Sequence, residues 1–318
     1  MTSMSPAPGF SSASAPVPDY ACARVTKCLF PVAGLGTRFL PVTKEIAKEM
    51  LPLVNRPVIS YGVEEAIESG CPDIIMITGR TKRSIEDYFD SSFELETLLK
   101  TRQKIDLYEK IHKISSMANV LYVRQSEPLG LGHAIAKGEP FCRGEYFGVI
   151  LPDDVFITED GVQPVLAQLI DTHDKLGGTV VALERVPPSE ASRYGVIQSE
   201  AVGDGVHRII DMVEKPSAVT EDALAIMGRY VLSPSIFPLL ARERPSVGGE
   251  IQLTDSIRRL IGSEPVWGVE YKGRRFDCGT QKGWLAANVA LALEDADLLP
   301  VVVDTVKKGV GSKDPKPL

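Results

Sequence analysis

Gly34-Leu-Gly36-Thr37-Arg38 places two glycines and a cation together, and a second cation, Lys48, follows ten residues after Arg38. Glycine lets backbone N–H groups approach a ligand with no Cβ in the way, and a run of such groups cradles phosphate. Arg38 offers a planar fork to phosphate oxygens and Lys48 a point charge. The segment therefore reads as an anion loop able to hold a departing pyrophosphate. It has neither the third glycine of the dinucleotide fingerprint nor the Gly-Lys-Ser/Thr of a Walker loop, and an ordinary tight turn is the plainer alternative.

Two further groups fit beside such a loop. Asp153 and Asp154 follow the apolar run YFGVIL, and Asp277 stands in RRFDCGT. Adjacent aspartates after a strand also make simple turns or caps. Near a phosphate, Asp153 with Asp277 would suffice for Mg²⁺, which takes one or two carboxylates plus phosphate oxygens and waters. In Val213-Glu214-Lys215-Pro216, strand alternation sends Glu214 and Lys215 to opposite faces, and the proline puts both at a sheet edge. A surface charge pair is the ordinary alternative. Together these groups suit phosphoryl or nucleotidyl transfer, which needs positioning and charge neutralisation more than covalent help. No Ser–His or Cys–His arrangement points to a covalent intermediate.

These residues need a scaffold that brings strand ends together. Apolar runs at 28–33, 73–78, 120–125, 146–151, 178–186 and 228–233 read as strands. The segment 57–70 reads as a helix ending on Gly70. Strand–helix–strand alternation predicts a mostly parallel central sheet with helices on both faces, and in such sheets ligands sit beyond the carboxyl ends of the strands. Residues 91–117 predict a charged, amphipathic helical insertion, and 283–299 an apolar helix suited to the core or to a dimer contact. Residues 1–20, rich in Ser, Ala and Pro, read as a disordered leader, 21–306 as one domain, and 307–318 as a flexible tail.

Composition narrows the partners. The chain has 318 residues and a formal charge of −7, which argues against nucleic acid bound through a general basic surface. No run approaches the ~18 apolar residues of a membrane span, and the N-terminus lacks a signal-peptide pattern. The five cysteines, at 22, 28, 71, 142 and 278, are odd in number and form no C-x-x-C pair, as expected of reduced cytoplasmic thiols.

The string FPVAGLGTRFLPVTK with KEMLPLVNRPVISY (30–44 and 48–61) resembles the signature of the sugar-nucleotide pyrophosphorylases. The similarity continues in order through SIEDYFDSSFELE, VRQSEPLGLGHAI, ILPDD, YGVI, VEKP, GRYVL, GEIQLTDSI and DCGT, over roughly residues 24–300. The resemblance implies a Rossmann-like nucleotidyltransferase fold and synthesis of UDP-glucose and pyrophosphate from UTP and glucose 1-phosphate with Mg²⁺. By the same resemblance, Ala33, Gly34, Gly36, Thr37, Gln125, Gly130 and Gly132 bind the nucleotide. Arg38 and Lys48 hold the triphosphate, and Asp153 and Asp277 the metal. Gly195 lines the sugar pocket, Glu214 binds sugar hydroxyls and Lys215 the sugar phosphate, with a homodimer or homotetramer as the assembly. Three alternatives stand beside it: the same reaction with dTTP, a non-catalytic regulatory paralogue, and a dinucleotide-dependent oxidoreductase. The chain departs from the family pattern at Ala47, where proline is usual, and a looser loop is expected there.

Overall fold

The computed structural model describes residues 24–309. The expected leader lies outside them, as does the expected tail from 310 onward; residues 307–309 end a helix, Leu299–Gly309.

Thirteen strands occur among the described residues. They are β1 (Lys27–Pro31), β2 (Pro52–Leu53), β3 (Arg56–Pro57), β4 (Asp73–Thr78), β5 (Asn119–Arg124), β6 (Phe147–Ile150) and β7 (Asp154–Ile157). The chain continues through β8 (Thr179–Val186), β9 (Gly195–Gly203), β10 (Val206–Glu214), β11 (Ala223–Leu232), β12 (Val266–Glu270) and β13 (Arg274–Asp277). Nine of them form one sheet in the order β5-β4-β1-β6-β11-β8-β12-β10-β9. The expected parallel pairing joins β5, β4, β1 and β6, and again β8 with β12. Strand β11 enters antiparallel between β6 and β8, and the β9–β10 hairpin closes the far edge.

The apolar runs are continuous because both faces of the sheet are covered. In β1, Cys28 and Phe30 pack with Ile74 and Met76 of β4 beneath the helices Val58–Glu68 and Val165–Leu176. Leu29, Ile75 and Ile77, one residue out of phase, meet Phe147, Ile135, Phe237 and Ile257 on the other face. The first helix stops as read, with Gly70 N–H bonded to Ile67 O and Cys71 N–H to Ala66 O. The insertion is two helices, Phe93–Thr101 and Ile105–Ser116, separated where Gln103 turns left-handed at φ 56°. Among the described residues no helix is long and apolar enough to cross a membrane.

A smaller third cluster anchors the site. Phe39, Leu51, Leu53, Val155, Cys278 and Ala287 pack together, so the glycine loop, the β7–β13 ribbon and the helix Gln281–Glu294 share one support. Phe39 meets Trp284 edge-on at 6.5 Å, and Trp284 Nε1 donates to Pro52 O at 3.0 Å. Of that helix's residues only Ala287 is buried, while Leu285, Val289 and Leu293 are exposed.

Candidate active site

Strand β1 ends at Pro31 and delivers Ala33 to the rim beside β4, where a Cβ on Gly79 would lie 3.2 Å from Ala33 O. The chain then folds into three short 3-10 turns, Thr37–Phe39, Val42–Lys44 and Lys48–Met50. Gly36 is left-handed at φ 67°, and its carbonyl accepts from Thr43 Oγ1 at 2.7 Å, which closes the loop. Lys48 runs back across the glycines: a Cβ on Gly36 would sit 3.2 Å from Lys48 Cβ, and one on Gly34 3.9 Å from its Nζ. Thr37 and Arg38 are exposed on the first turn, where Arg38 O accepts from Gln281 Nε2 at 3.3 Å. Ala47 has φ −58°, within the range a proline ring imposes. The looser loop expected there is therefore not a different backbone.

Lys48 Nζ reaches Asp153 Oδ2 at 2.5 Å. Burial works against both charges. Asp153 and Glu49 nevertheless hold the Lys48 ammonium above its usual value, and the Lys48 charge and hydrogen bond hold the Asp153 carboxyl below its own. Asp153 meets Asp277 through the ribbon rather than the main sheet. Strand β7 starts one residue after Asp153, and in its antiparallel ladder with β13 Asp154 is the partner of Asp277. Gly279 lies where the carboxylates converge, since a Cβ there would fall 2.7 Å from Asp153 Oδ2 and 3.1 Å from Asp277 Oδ1. Two hard carboxylates facing an open glycine fit a Mg²⁺ ion whose remaining ligands are phosphate and water. Arg193 Nη2 holds the other Asp277 oxygen at 2.7 Å.

Asp154 is tied to Arg275 instead. Burial pushes its carboxyl up to about 6, with the Arg275 charge opposing and Asp153 adding to the rise. Arg275 Nε donates to it at 2.8 Å and lies against the Tyr194 ring.

The sugar-side residues assemble next door. Gly195 opens β9 opposite Glu214, the last residue of β10. Thr254 Oγ1 donates to Glu214 Oε2 at 2.7 Å, and a Cβ on Gly195 would lie 3.0 Å from Thr254 Oγ1 and 3.2 Å from Glu214 Oε2. The expectation that Glu214 and Lys215 face opposite ways is overturned. Lys215 has left the strand and is left-handed at φ 46°, its N–H bonds Tyr194 O at 3.0 Å, and its ammonium returns to Glu214 Oε1 at 3.3 Å. A non-glycine residue held there costs about 1–2 kcal/mol, the kind of strain found at functional sites.

On the third side Gln125 Nε2 bonds Gly130 O at 3.3 Å and contacts His133 Nδ1 at 2.9 Å. Gly130 is at φ 99°, and a Cβ on it would strike Glu250 at 2.7 Å. Gly132 gives its N–H to Ile251 O at 2.8 Å and is buried, so that N–H is already committed within the fold.

The structure thus gathers the predicted residues into three groups: Ala33, Gly34, Gly36, Thr37, Arg38, Lys48, Asp153 and Asp277; Gly195, Glu214 and Lys215; Gln125, Gly130 and Gly132. Two short segments that residue-by-residue reading left without a role join them. Arg193-Tyr194, directly before Gly195, touches Asp277 at one end and Lys215 at the other. The segment from Ile251 to Thr254 touches Gly132 and Glu214. The strings YGVI and GEIQLTDSI contained that signal.

Comparison with known proteins identifies the family. Residues 31–294 match the nucleotidyl transferase family model. A UTP–glucose-1-phosphate uridylyltransferase of Staphylococcus epidermidis is 43% identical over 276 residues, 86% of this chain and 95% of the relative. One from Pseudomonas aeruginosa is 46% identical over 266 residues, 83% of this chain and 94% of the relative. A crystal structure of UDP-glucose pyrophosphorylase in complex with UDP-glucose superposes with a TM-score of 0.76 at 43% identity, covering 85% of this chain and 100% of the other. This chain belongs to the nucleotidyl transferase family and, within it, to the UTP–glucose-1-phosphate uridylyltransferases.

Proposed function

We propose that the chain transfers the uridylyl group of UTP to glucose 1-phosphate, releasing pyrophosphate and forming UDP-glucose, with Mg²⁺ held by Asp153 and Asp277. The observation that carries this reading is one unbroken path of contacts. It runs from the glycine loop through Lys48, Asp153, Gly279 and Asp277 to Arg193, and on to the Gly195–Glu214 pair. Phosphate-binding and sugar-binding groups therefore face one rim.

An oxygen of the sugar phosphate attacks the α-phosphorus of UTP in line. A new P–O bond forms to that oxygen as the bond from the α-phosphorus to the α,β-bridging oxygen breaks, and pyrophosphate leaves with the electron pair. Arg38 and Lys48 hold the leaving pyrophosphate, where one preorganised donor is worth about 3 kcal/mol of the barrier. Lys215 holds the sugar phosphate, and Glu214, oriented by Thr254, accepts sugar hydroxyls. Ala33, Gly34, Gln125 and Gly130 offer backbone and amide groups to the nucleotide. When bound, Mg²⁺ supplies Lewis-acid charge on the phosphate oxygens.

We infer a cytoplasmic location and a homodimer or homotetramer. The exposed stripe Leu285, Val289 and Leu293, spaced four residues apart on one helix face, supports that assembly. Chromatographic detection of UDP-glucose from UTP, glucose 1-phosphate and Mg²⁺ tests the reading. Product from wild type and almost none from Lys48→Ala is expected. Equal product from both would remove Lys48 from the reaction.

A further inference from the structure

Arg229 is fully buried in β11, a position where an apolar side chain would avoid the cost of desolvating a charge. Its guanidinium is engaged on every side. Nε lies 2.9 and 3.0 Å from the two Glu65 oxygens, and Nη2 lies 2.7 Å from Glu65 Oε2. Nη1 donates to Gly228 O at 3.0 Å and to Leu151 O at 3.2 Å, while Nη2 also donates to Asp154 O at 2.9 Å. The Phe156 ring covers it at 4.4 Å. Glu65 is anchored in turn by the Leu166 N–H at 3.0 Å, at the start of the helix Val165–Leu176.

Leu151 and Asp154 are the two ends of the turn that carries Asp153, closed by Asp154 N–H to Leu151 O at 3.2 Å. Glu65 and Gly228 take up three of the five guanidinium N–H groups, leaving two that must find acceptors in the interior. The two extra carbonyls belong to the residues bracketing the carboxylate assigned to the metal. A planar five-donor fork can bind a carboxylate and several carbonyls at once, which a lysine cannot.

We propose that Arg229, oriented by Glu65, is a positioning residue that fixes the Asp153 turn and so sets the affinity of the metal site. It touches neither substrate nor metal, and the inference rests on the metal role given above to Asp153. Removing the clamp widens the set of positions Asp153 visits, so that the metal is held more weakly while the bound site remains intact.

The test compares wild type, Arg229→Lys, Glu65→Gln, Asp153→Asn and Leu260→Ala; the last is a destabilised control buried in the opposite-face cluster. Mn²⁺ binding to the nucleotide-free proteins is measured by electron paramagnetic resonance, together with melting temperature and the Mg²⁺ concentration giving half-maximal pyrophosphate release. Loss of an outer support of a metal ligand typically lowers metal affinity by about 10–100-fold. Arg229→Lys is expected to bind Mn²⁺ at least about 10-fold more weakly, to require correspondingly more Mg²⁺, and to recover rate as Mg²⁺ is raised. Glu65→Gln should move the same way by less, and Leu260→Ala should lower the melting temperature with Mn²⁺ affinity unchanged. A wild-type site abolished by Asp153→Asn yet untouched in both Arg229→Lys and Glu65→Gln overturns the clamp alone. Should wild type show no Mn²⁺ site sensitive to Asp153→Asn, the metal assignment falls and the clamp with it. If Arg229→Lys fails to fold, Glu65→Gln decides by the same readings.

Discussion

Lys48 Nζ and Asp153 Oδ2 are 2.5 Å apart, so the cation assigned to the triphosphate and the carboxylate assigned to the metal neutralise each other when neither ligand is bound. In the proposed complex, phosphate would take the ammonium and the metal would take the carboxylate, so that one ion pair would be replaced by two.

Asp153→Asn should lower kcat by at least about 100-fold, the scale for losing one preorganised electrostatic group. In metal-free protein at pH 7 its melting temperature should fall only a few degrees, because losing the Lys48 pair is offset by relief beside Asp154 and Asp277. The pH dependence has a definite sign. Asp153 is held below its ordinary value when folded, so its contribution is present above the unfolded value of about 4 and is lost as pH falls through the folded value. Melting curves of EDTA-treated wild type and variant should converge below pH 4. A large stability loss at pH 7 would make Asp153 a structural turn residue.

Gly279→Ala places a methyl group 2.7 Å from Asp153 Oδ2 and 3.1 Å from Asp277 Oδ1. The carboxylates must part, and activity should fall at least about 10-fold, as when a metal ligand's support is lost, with the far-ultraviolet circular dichroism unchanged. Wild-type turnover in this variant would separate the two aspartates from the metal.

Lys215→Ala removes the cation at the left-handed end of β10 and leaves the glycine loop intact. The KM for glucose 1-phosphate should rise by about 10-fold or more, as for loss of a charged hydrogen-bond partner, with the KM for UTP changing far less. Steady-state kinetics with each substrate varied in turn gives the answer, and equal effects on both would contradict the assignment.

Ala47→Pro should stabilise the protein. The native φ of −58° suits the ring, and a compatible proline adds about 0.4–1 kcal/mol by restricting the unfolded chain, or roughly 1–3 °C in melting temperature for a domain of this size. A lower melting temperature would show that the buried loop has no room for it.

The sequence was legible where burial is strong on both faces. The runs at 73–78 and 178–186 became strands almost residue for residue because side chains on both faces are buried over most of their length. The β9–β10 hairpin escaped because β10 buries His207, Ile209 and Met212 and exposes Arg208, Ile210 and Val213, its alternation broken by a bulge between Ile209 and Asp211, so no apolar run marks it. The ribbon strand β13 reads Arg-Arg-Phe-Asp, which carries no strand signal, although it delivers Asp277 to Asp153. Asp153 was singled out because a carboxylate directly after an apolar run is conspicuous, and Asp277 through the string RRFDCGT. Arg229 and Thr254 were not, since an arginine inside an apolar strand and a threonine in the first turn of a helix declare nothing until their partners are seen. Lys215 was misplaced because alternation assumes the strand continues, and its backbone turns left-handed one residue after the strand ends.

The central claim is most directly tested by pyrophosphate release from purified protein with glucose 1-phosphate and Mg²⁺, run in parallel with UTP and with dTTP. A rate with UTP well above that with dTTP is predicted. Folded protein that releases no pyrophosphate with either nucleotide would contradict the account.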